Sequence, residues 1–240
     1  MYFADIHNHM LAGVDDGAQD DAAMFAMIDA AYSDGTRAIC FTPHWHPDAF
    51  GNNSAAKDAA FGRAAEYVSS KGYNIELSLG NELRCSPRFD AWVSEGVCRT
   101  LNGSRYLLVD FSLYAAADEI TDGVHRVLNA GYRPVLAHVE RYVHFHSDMR
   151  EVKGLRSDGA VIQLDAGSIT GDFGFSCRSK AKKCLALGLA DVVASDAHGV
   201  SRRTPVLSAA AEFVERKYSK EYAERLFLTV PKKLIGNENI

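Results

Sequence analysis

The sequence of 240 residues lacks long apolar stretches, an excess of basic residues and a leader-like start. No segment approaches the roughly 20 consecutive apolar residues that a membrane-spanning helix requires. The first residues do not form a basic region followed by an apolar one, so we expect no signal peptide, no membrane insertion and a cytoplasmic location. The formal net charge of −5 is not the basic balance of nucleic-acid-binding domains, so we expect no nucleic-acid partner.

Paired cysteine motifs are also absent. The five cysteines are scattered without a C-x-x-C pair, which is typical of a protein from a reducing compartment. Phosphatases with a cysteine nucleophile need the pattern Cys-x5-Arg, in which a loop binds the phosphate. The positions six residues after the cysteines hold His, Ala, Ser, Lys and Ala, so the sequence excludes this chemistry. The cysteines are Cys40, Cys85, Cys98, Cys177 and Cys184.

Short apolar, β-branched runs alternate with helical patterns, which predicts a parallel sheet with helices packed outside it. About seven such units in one chain of this length favour a single α/β domain, a closed or nearly closed (β/α) barrel, over an open sheet. Terminal helices are expected from about residue 204. The predicted strands lie near residues 3–8, 37–43, 74–81, 105–111, 133–138, 160–165 and 190–195. The predicted helices span residues 20–33, 55–71, 118–129, 149–157 and 176–187.

Histidine and carboxylate residues follow the predicted strands at their carboxyl ends. In parallel barrels this face carries the active site, so residues distant in sequence are expected to converge there. His7 and His9 can hold one ion together because side chains two apart in a strand share a face. Because several histidine and carboxylate clusters are expected to meet at this face, we predict a polynuclear metal centre. Imidazole together with carboxylate suits zinc, manganese, iron or cobalt. The clusters contain His7 and His9, Asp15-Asp16-Gly17, His44, Glu82, Asp110, His138, and Asp196 with His198.

Two arginines add a phosphate site to these candidate ligands. Arg141 lies three residues after His138, and Arg203 lies five residues after His198. A guanidinium donates two parallel hydrogen bonds to phosphate oxygens and stabilises charge in phosphoryl transfer. A bridging carboxylate can hold two ions ~3.5–4 Å apart, where they share a hydroxide that attacks phosphorus in line. The residues therefore favour hydrolysis of a phosphate ester.

The motifs resemble the PHP superfamily (polymerase and histidinol phosphatase), and within it the bacterial protein-tyrosine phosphatases found with capsule and exopolysaccharide biosynthesis. The Val-Asp-Asp-Gly and His-x-Glu-Arg-Tyr signatures are its most specific parts. The resemblance runs from residue 3 to about residue 205. It implies a distorted (β/α)7 TIM-like barrel with three divalent metal ions, manganese foremost, with iron, cobalt or zinc as alternatives. The resembling segments are residues 5–11, 13–17, 42–44, 80–83, 106–112, 136–142, 166–171 and 194–198.

The resemblance also implies a role for each candidate ligand. Glu82 would bridge the first ion to the second. The implied ligands are His7, His9, Glu82 and Asp196 for the first ion; Glu82, Asp110 and His138 for the second; and Asp16, His44 and His198 for the third. Asp110 stands where the family usually has glutamate.

Arg141 and Arg203 match the phosphate-binding arginines of the family. Thr204-Pro205 replaces a common Pro-Pro pair, so Arg202 stays open as an alternative to Arg203.

We therefore expect a metal-dependent protein-tyrosine phosphatase that acts on a bacterial tyrosine autokinase of capsule or exopolysaccharide assembly. One alternative is a small-molecule PHP phosphatase such as histidinol-phosphate phosphatase. Another is a non-catalytic metal-binding scaffold that docks such a kinase. Trp45, Phe50 and Phe111 either line a pocket for the tyrosine ring or pack in the core. The sequence leaves the oligomeric state open.

Overall fold

The computed structural model describes residues 1–46, 49–50 and 53–240, and strands alternate with helices along them. The strands are β1 (Phe3–Asp5), β2 (Thr36–Phe41), β3 (His44–Trp45), β4 (Glu76–Leu79), β5 (Glu82–Arg84), β6 (Tyr106–Asp110), β7 (Arg133–Leu136), β8 (Val161–Asp165) and β9 (Val192–Ala194). The α-helices are α1 (Asp21–Asp34), α2 (Ser54–Ser70), α3 (Phe89–Ser94), α4 (Ala117–Asn129), α5 (Arg150–Ser157), α6 (Ala166–Thr170), α7 (Gly174–Ala186), α8 (Ser208–Lys217), α9 (Lys220–Glu224) and α10 (Val230–Ile235).

The strands pair in parallel, in the orders β1-β2-β4 and β3-β5-β6-β7-β8-β9. Two short strands that were not predicted, β3 and β5, follow directly after the predicted strands at residues 37–43 and 74–81, and a break in the ladder precedes each of them. Pro43 has no N–H to continue the first ladder. Asn81, at the second break, donates from Nδ2 to the carbonyl oxygen of Pro43 over 2.9 Å. This hydrogen bond therefore joins the two positions at which the ladders are interrupted.

The sheet curls until its first and last strands meet at their carboxyl ends. The backbone N–H of Asp196 donates to the carbonyl of His7 over 2.8 Å, and that of His9 donates to the carbonyl of Ala197 over 2.9 Å. An isolated parallel β-bridge pairs Asn8 with Ala197 at the same place. The protein therefore has an α/β fold with a curled parallel sheet, as the alternating pattern predicted.

Alternate strand residues point to opposite sides of the curled sheet. Leu108 and Val135 belong to one buried cluster, together with Val230 and Leu234 of α10. Leu107, next to Leu108, belongs to a second cluster that packs against helices outside the sheet. The interior of the curl is therefore a packed core that α10 helps to enclose.

The helix boundaries follow from local signals in the sequence. The side chain of Asp20 accepts a hydrogen bond from the backbone of Ala23 and begins α1, and Gly35 ends it in a left-handed conformation with φ 107°. The terminal helices were expected from about residue 204 and begin at Ser208, where Asp34 accepts the backbone N–H of Ser208. Among the described residues, no helix is long and apolar enough to cross a membrane.

Candidate metal centre

The residues predicted as metal ligands all converge at the carboxyl ends of the strands. They form four overlapping groups, in each of which the potential ligand atoms lie within 4.8 Å of one another. Most of them line a cleft of about 180 Å³, and the two predicted arginines, Arg141 and Arg203, line it as well. The groups are His9, Asp16, His44 and His198; His7, His9 and Glu82; His7, His138 and Asp196; and Glu82, Asp110 and His138.

The deepest group joins two histidines of the opening motif to two carboxylates. His7 Nε2 lies 3.2 Å from Glu82 Oε1 and 3.4 Å from Asp196 Oδ1. His9 Nε2 lies 3.3 Å from Glu82 Oε2 and 3.4 Å from Asp196 Oδ1, and the two Nε2 atoms are 3.4 Å apart. Ligand atoms about 2.0–2.1 Å from a tetrahedral ion lie about 3.4 Å from one another. These spacings fit a first-row divalent ion.

A second group shares Glu82 with the first. His138 Nε2 lies 3.2 Å from Glu82 Oε1. Asp110 is buried beside them, and Arg84 Nε lies 2.9 Å from Asp110 Oδ1. Burial and the negative charge of Glu82 raise the pKa of Asp110 well above its usual range, more than Arg84 offsets. Arg84, whose guanidinium offsets part of the charge that Asp110 brings to the site, was not predicted from the sequence.

The third group lies at the mouth of the cleft. Asp16 Oδ1 is 3.5 Å from His44 Nε2 and 3.4 Å from His198 Nε2. The side chain of Asp16 is 50% exposed, whereas Glu82 is buried. An ion held here would therefore be the most accessible to solvent and substrate.

Unpaired polar atoms test whether this donor set suits metal ions. Glu82 Oε2, Asp110 Oδ1 and His198 Nε2 are buried and make no well-formed hydrogen bond with any described residue, although a charged or titratable group lies within 2.8–3.4 Å of each. Buried polar atoms in proteins are nearly always hydrogen-bonded, so an unpaired group of this kind needs an explanation. Imidazole nitrogens and carboxylate oxygens are ordinary ligands of divalent transition metals. The donor set therefore fits divalent metal ions.

Two further residues orient the ligands from behind. Asp15 Oδ2 accepts a hydrogen bond from His9 Nδ1 over 2.7 Å. Gln163 Oε1 lies 3.0 Å from His7 Nδ1 and accepts the backbone N–H of His138 over 3.0 Å. Such partners fix the tautomer and direction of a ligating histidine. The sequence placed Asp15 in a candidate metal cluster but did not predict this orienting role, and it did not single out Gln163; the signal for Gln163 is a polar residue inside the apolar strand β8.

Backbone geometry brings these groups into contact. A Cβ atom at Gly17 would lie 1.8 Å from the carbonyl oxygen of His9, so only glycine allows this loop to pass so close to His9. His138, Asp196 and Arg203 have φ values of 36°, 51° and 48°. Left-handed conformations of non-glycine residues cost about 1–3 kcal/mol each and concentrate at functional sites.

The buried histidines and carboxylates stabilise each other's charge. Burial opposes protonation of His7, but the charges of Glu82 and Asp196 raise its pKa to about 9. Burial likewise opposes ionisation of Glu82 and Asp196, yet His7 holds the pKa of each carboxyl well below its usual range. Without metal, the deepest group is therefore an imidazolium–carboxylate cluster. A divalent cation would replace these protons as the positive charge.

The arginines contact one oxygen of a candidate ligand. Arg141 Nη1 donates to Asp196 Oδ2 over 2.7 Å and to Asp165 Oδ2 over 3.2 Å. Arg203 Nη2 donates to the same Asp196 oxygen, while Asp196 Oδ1 faces His7 and His9. Arg202 forms no ion pair with any described residue and lines a neighbouring cavity. Of the two alternatives, the structure thus places Arg203 in the cleft.

Three phenylalanine rings border the arginines and the candidate metal ligands. The guanidinium carbons of Arg141 and Arg203 lie 4.7 Å and 5.9 Å from the centroid of the Phe173 ring, a contact that sequence reasoning missed. Phe50 stacks on the His44 ring at 4.9 Å, and the largely buried Phe111 lines the cleft.

Trp45, the third aromatic residue considered, packs in the core against Trp92 at 4.0 Å. Of the two roles considered from the sequence, lining a pocket for the tyrosine ring or packing in the core, Trp45 therefore has the second.

A family model described as capsular polysaccharide synthesis, CpsB/CapC, matches residues 3–236. The chain belongs to the CpsB/CapC family. It is 27% identical over 241 residues to tyrosine-protein phosphatase CpsB of Streptococcus pneumoniae, an alignment that covers 98% of this chain and 99% of that protein. It is 28% identical over 237 residues to the putative tyrosine-protein phosphatase CapC of Staphylococcus aureus, covering 98% and 92% of the two chains.

Solved structures agree with this membership of the CpsB/CapC family. A chain from the crystal structures of YwqE from Bacillus subtilis and CpsB from Streptococcus pneumoniae, described as unique metal-dependent tyrosine phosphatases, matches with a TM-score of 0.91. The two chains are 27% identical, and the match covers 99% of this chain and 96% of the other. The lactonase Lmo2620 from Listeria monocytogenes, 10% identical with a TM-score of 0.64 over 99% of this chain and 95% of its own, shares the fold alone.

Proposed function

We propose that this chain is a metal-dependent protein-tyrosine phosphatase. The observation that carries the proposal is the convergence of nine histidine and carboxylate side chains with two arginines in a chain of the CpsB/CapC family. Relatives of similar length are named tyrosine-protein phosphatases. The family model confirms the family that the sequence motifs predicted.

We further propose three divalent ions, with manganese foremost. Overlap of the four ligand groups through Glu82, His7 and His9 supports several ions over one. When bound, such ions supply Lewis acidity and make water acidic enough to act as a nucleophile near neutral pH. The proposed ligands are His7, His9, Glu82 and Asp196; Glu82, Asp110 and His138; and Asp16, His44 and His198.

The chain's own residues bind and orient the phosphate ester. Arg141 and Arg203, which both line the cleft, donate to the phosphoryl oxygens. Phe50 and Phe111 border the ligands where an aryl group would enter. A leaving phenolate with a pKa of about 10 needs less protonation than an alkoxide, which suits a site without a strong general acid.

The substrate, compartment and architecture extend the same proposal. The capsule description of the family supports a tyrosine autokinase of capsule or exopolysaccharide assembly as the substrate. All five cysteines are free, which supports a reducing compartment such as the cytoplasm. The hydrogen bonds between the first and last strands support one distorted (β/α)7 barrel over residues 1–240.

A side-by-side assay separates this function from the two alternatives. Metal-loaded protein should hydrolyse a phosphotyrosyl peptide much faster than histidinol phosphate or phosphoserine. Arg141→Ala and His138→Ala should each abolish most of this turnover, because they remove a phosphate donor and a metal ligand. Preference for histidinol phosphate would favour the small-molecule phosphatase. Turnover at the background level that neither substitution changes would favour the scaffold.

A further inference from the structure

A larger cavity, of about 800 Å³, lies apart from the metal ligands between α7, α8 and the turn at residues 147–148. Its lining includes Lys182, Lys183 and Lys217, together with the rings of Phe213 and Tyr218. The ammonium group of Lys182 lies 4.9 Å from the centroid of the Phe213 ring. We call this cavity the lysine cleft.

The lysine cleft has positive charge that the protein does not neutralise. Within residues 1–46, 49–50 and 53–240, none of its three lysines forms an ion pair, and Lys183 and Lys217 are exposed. Asp148, the acidic residue of the lining, is held by Arg150, with Nη2 2.8 Å from Oδ2. The chain as a whole has a net charge of −5, so the lysine cleft is a positively charged region of a protein that is negative overall. Such a concave basic surface attracts anionic groups.

Helix α7 connects the lysine cleft to the metal centre. It begins at Gly174, beside Phe173, whose ring contacts Arg141. Lys180 in the same helix donates from Nζ to the carbonyl of Tyr142 over 2.7 Å, which fixes the helix to the loop that carries Arg141. At about 1.5 Å per helical residue, Lys183 lies about 15 Å along the helix from Phe173. An extended peptide covers this distance in about four to five residues.

We propose that the lysine cleft binds an anionic segment of the protein substrate, with acidic or phosphorylated side chains about three to six residues from the phosphotyrosine. This inference rests on the proposed function. The exposed lysines and the rings of Phe213 and Tyr218 together suit the charged and apolar side chains of a peptide. The cleft would raise affinity for such substrates and leave the chemistry of small aryl phosphates unchanged.

The test compares two doubly substituted proteins that lose the same charge. Lys183→Ser/Lys217→Ser removes two exposed lysines of the cleft, and Lys71→Ser/Lys232→Ser removes two exposed lysines elsewhere. Three phosphotyrosyl peptides serve as substrates: one with four glutamates at positions +3 to +6, one with two phosphoserines there, and one with neutral residues. Hydrolysis of p-nitrophenyl phosphate reports the catalytic site alone.

We expect the cleft variant to raise KM for an anionic peptide by about fivefold, from two exposed charge contacts. Rates with the neutral peptide and with p-nitrophenyl phosphate should stay at the wild-type level, and the control variant should not differ from wild type. An effect on the phosphorylated peptide alone would restrict the ligand to phosphate, and an effect on both would include carboxylates. Equal KM values for the cleft variant and wild type with both anionic peptides would overturn the proposal.

Binding without catalysis separates this inference from the proposed function. Fluorescence anisotropy with a labelled tyrosine peptide that carries the four glutamates but no phosphate should show weaker binding to the cleft variant than to the control variant. Loss of this difference contradicts the cleft even if hydrolysis is normal. Failure to hydrolyse any phosphotyrosyl peptide contradicts the proposed function. Binding to phosphatidylserine vesicles that depends on the cleft, without any effect on peptides, would assign the surface to a membrane and overturn the proposal.

Discussion

Asp15 orients His9 through a hydrogen bond of 2.7 Å from His9 Nδ1 to Asp15 Oδ2. The same oxygen accepts the backbone N–H of His44 over 2.9 Å. Burial opposes ionisation of Asp15, but the charge and hydrogen bond of His9 hold its pKa well below its usual range. Consecutive aspartates therefore have different tasks, because Asp15 orients two ligand-bearing segments while Asp16 faces the mouth of the cleft.

Substitution of Asp15 should weaken metal binding although every proposed ligand remains. We expect Asp15→Asn to reduce metal affinity by about 10–100-fold, the usual effect of losing such an orienting group. Isothermal titration of metal into chelator-treated protein measures this loss. Asp20→Asn is the matched control, because asparagine caps a helix about as well as aspartate. Equal affinity of Asp15→Asn and the control would show that Asp15 does not act through His9.

Arg84 should oppose the binding of a cation next to Asp110. Its Nε lies 2.9 Å from the Asp110 carboxylate, and its positive charge repels a cation and competes for the same oxygen. We expect Arg84→Met to increase metal affinity several-fold when occupancy is measured directly by calorimetry. Arg88→Met, at an exposed arginine outside the cleft, should leave affinity unchanged. Weaker binding to Arg84→Met would mean that Arg84 holds Asp110 in its ligating position.

Arg203 and Arg202 form a natural pair of test and control. Lysine keeps the charge but loses the forked donors that bind phosphate. Arg203→Lys should lower kcat/KM for a phosphotyrosyl peptide by about 10²–10³-fold, the range for losing one donor to transition-state charge. Arg202→Lys should lower it by less than about twofold, because surface charges outside the site contribute little. The reverse order would transfer the role to Arg202.

Metal binding should release protons and strengthen as the pH rises. Glu82 and Asp196 raise the pKa of His7 to about 9 against the effect of burial, so His7 is protonated at pH 7 without metal. A metal ligand must be a neutral imidazole, so below about pH 9 the cation competes with a proton. Apparent affinity should therefore increase from pH 7 to pH 9.

Calorimetry in buffers of different ionisation enthalpy counts the protons released. We expect at least one proton per protein at pH 7 and fewer at pH 9. His125→Gln, which alters a surface histidine paired with Asp158, should give the wild-type profile. Affinity that falls with rising pH, or proton release that does not change, would contradict the charge balance of the deepest group.

The parts of the molecule that sequence patterns predicted are those with local causes. Asp20 and Gly35 bound α1 because capping depends on neighbouring residues. The carboxyl ends of parallel strands share one edge, so His7, His44 and His138 were expected to converge, and the structure brings them together. The short strands β3 and β5, which follow Pro43 and Asn81, were missed, because they depend on a contact between segments distant in sequence.

Contacts between distant segments account for what sequence reasoning missed at the site. Gln163 lies 156 positions from His7, and no local pattern links them. No sequence pattern distinguishes Phe173 from other aromatic residues near a helix, yet its ring contacts both Arg141 and Arg203. Arg84 follows Glu82 by two residues, and its partner Asp110 lies on the adjacent strand β6. Such pairs become visible once strand register is known.

The most direct test of the central claim is phosphotyrosine hydrolysis by one protein sample before chelation, after chelation and desalting, and during metal titration. The activity should disappear with the metal and return in proportion to Mn²⁺, reaching its maximum at three equivalents per chain. Retention of full phosphotyrosine hydrolysis by metal-free protein would contradict the account.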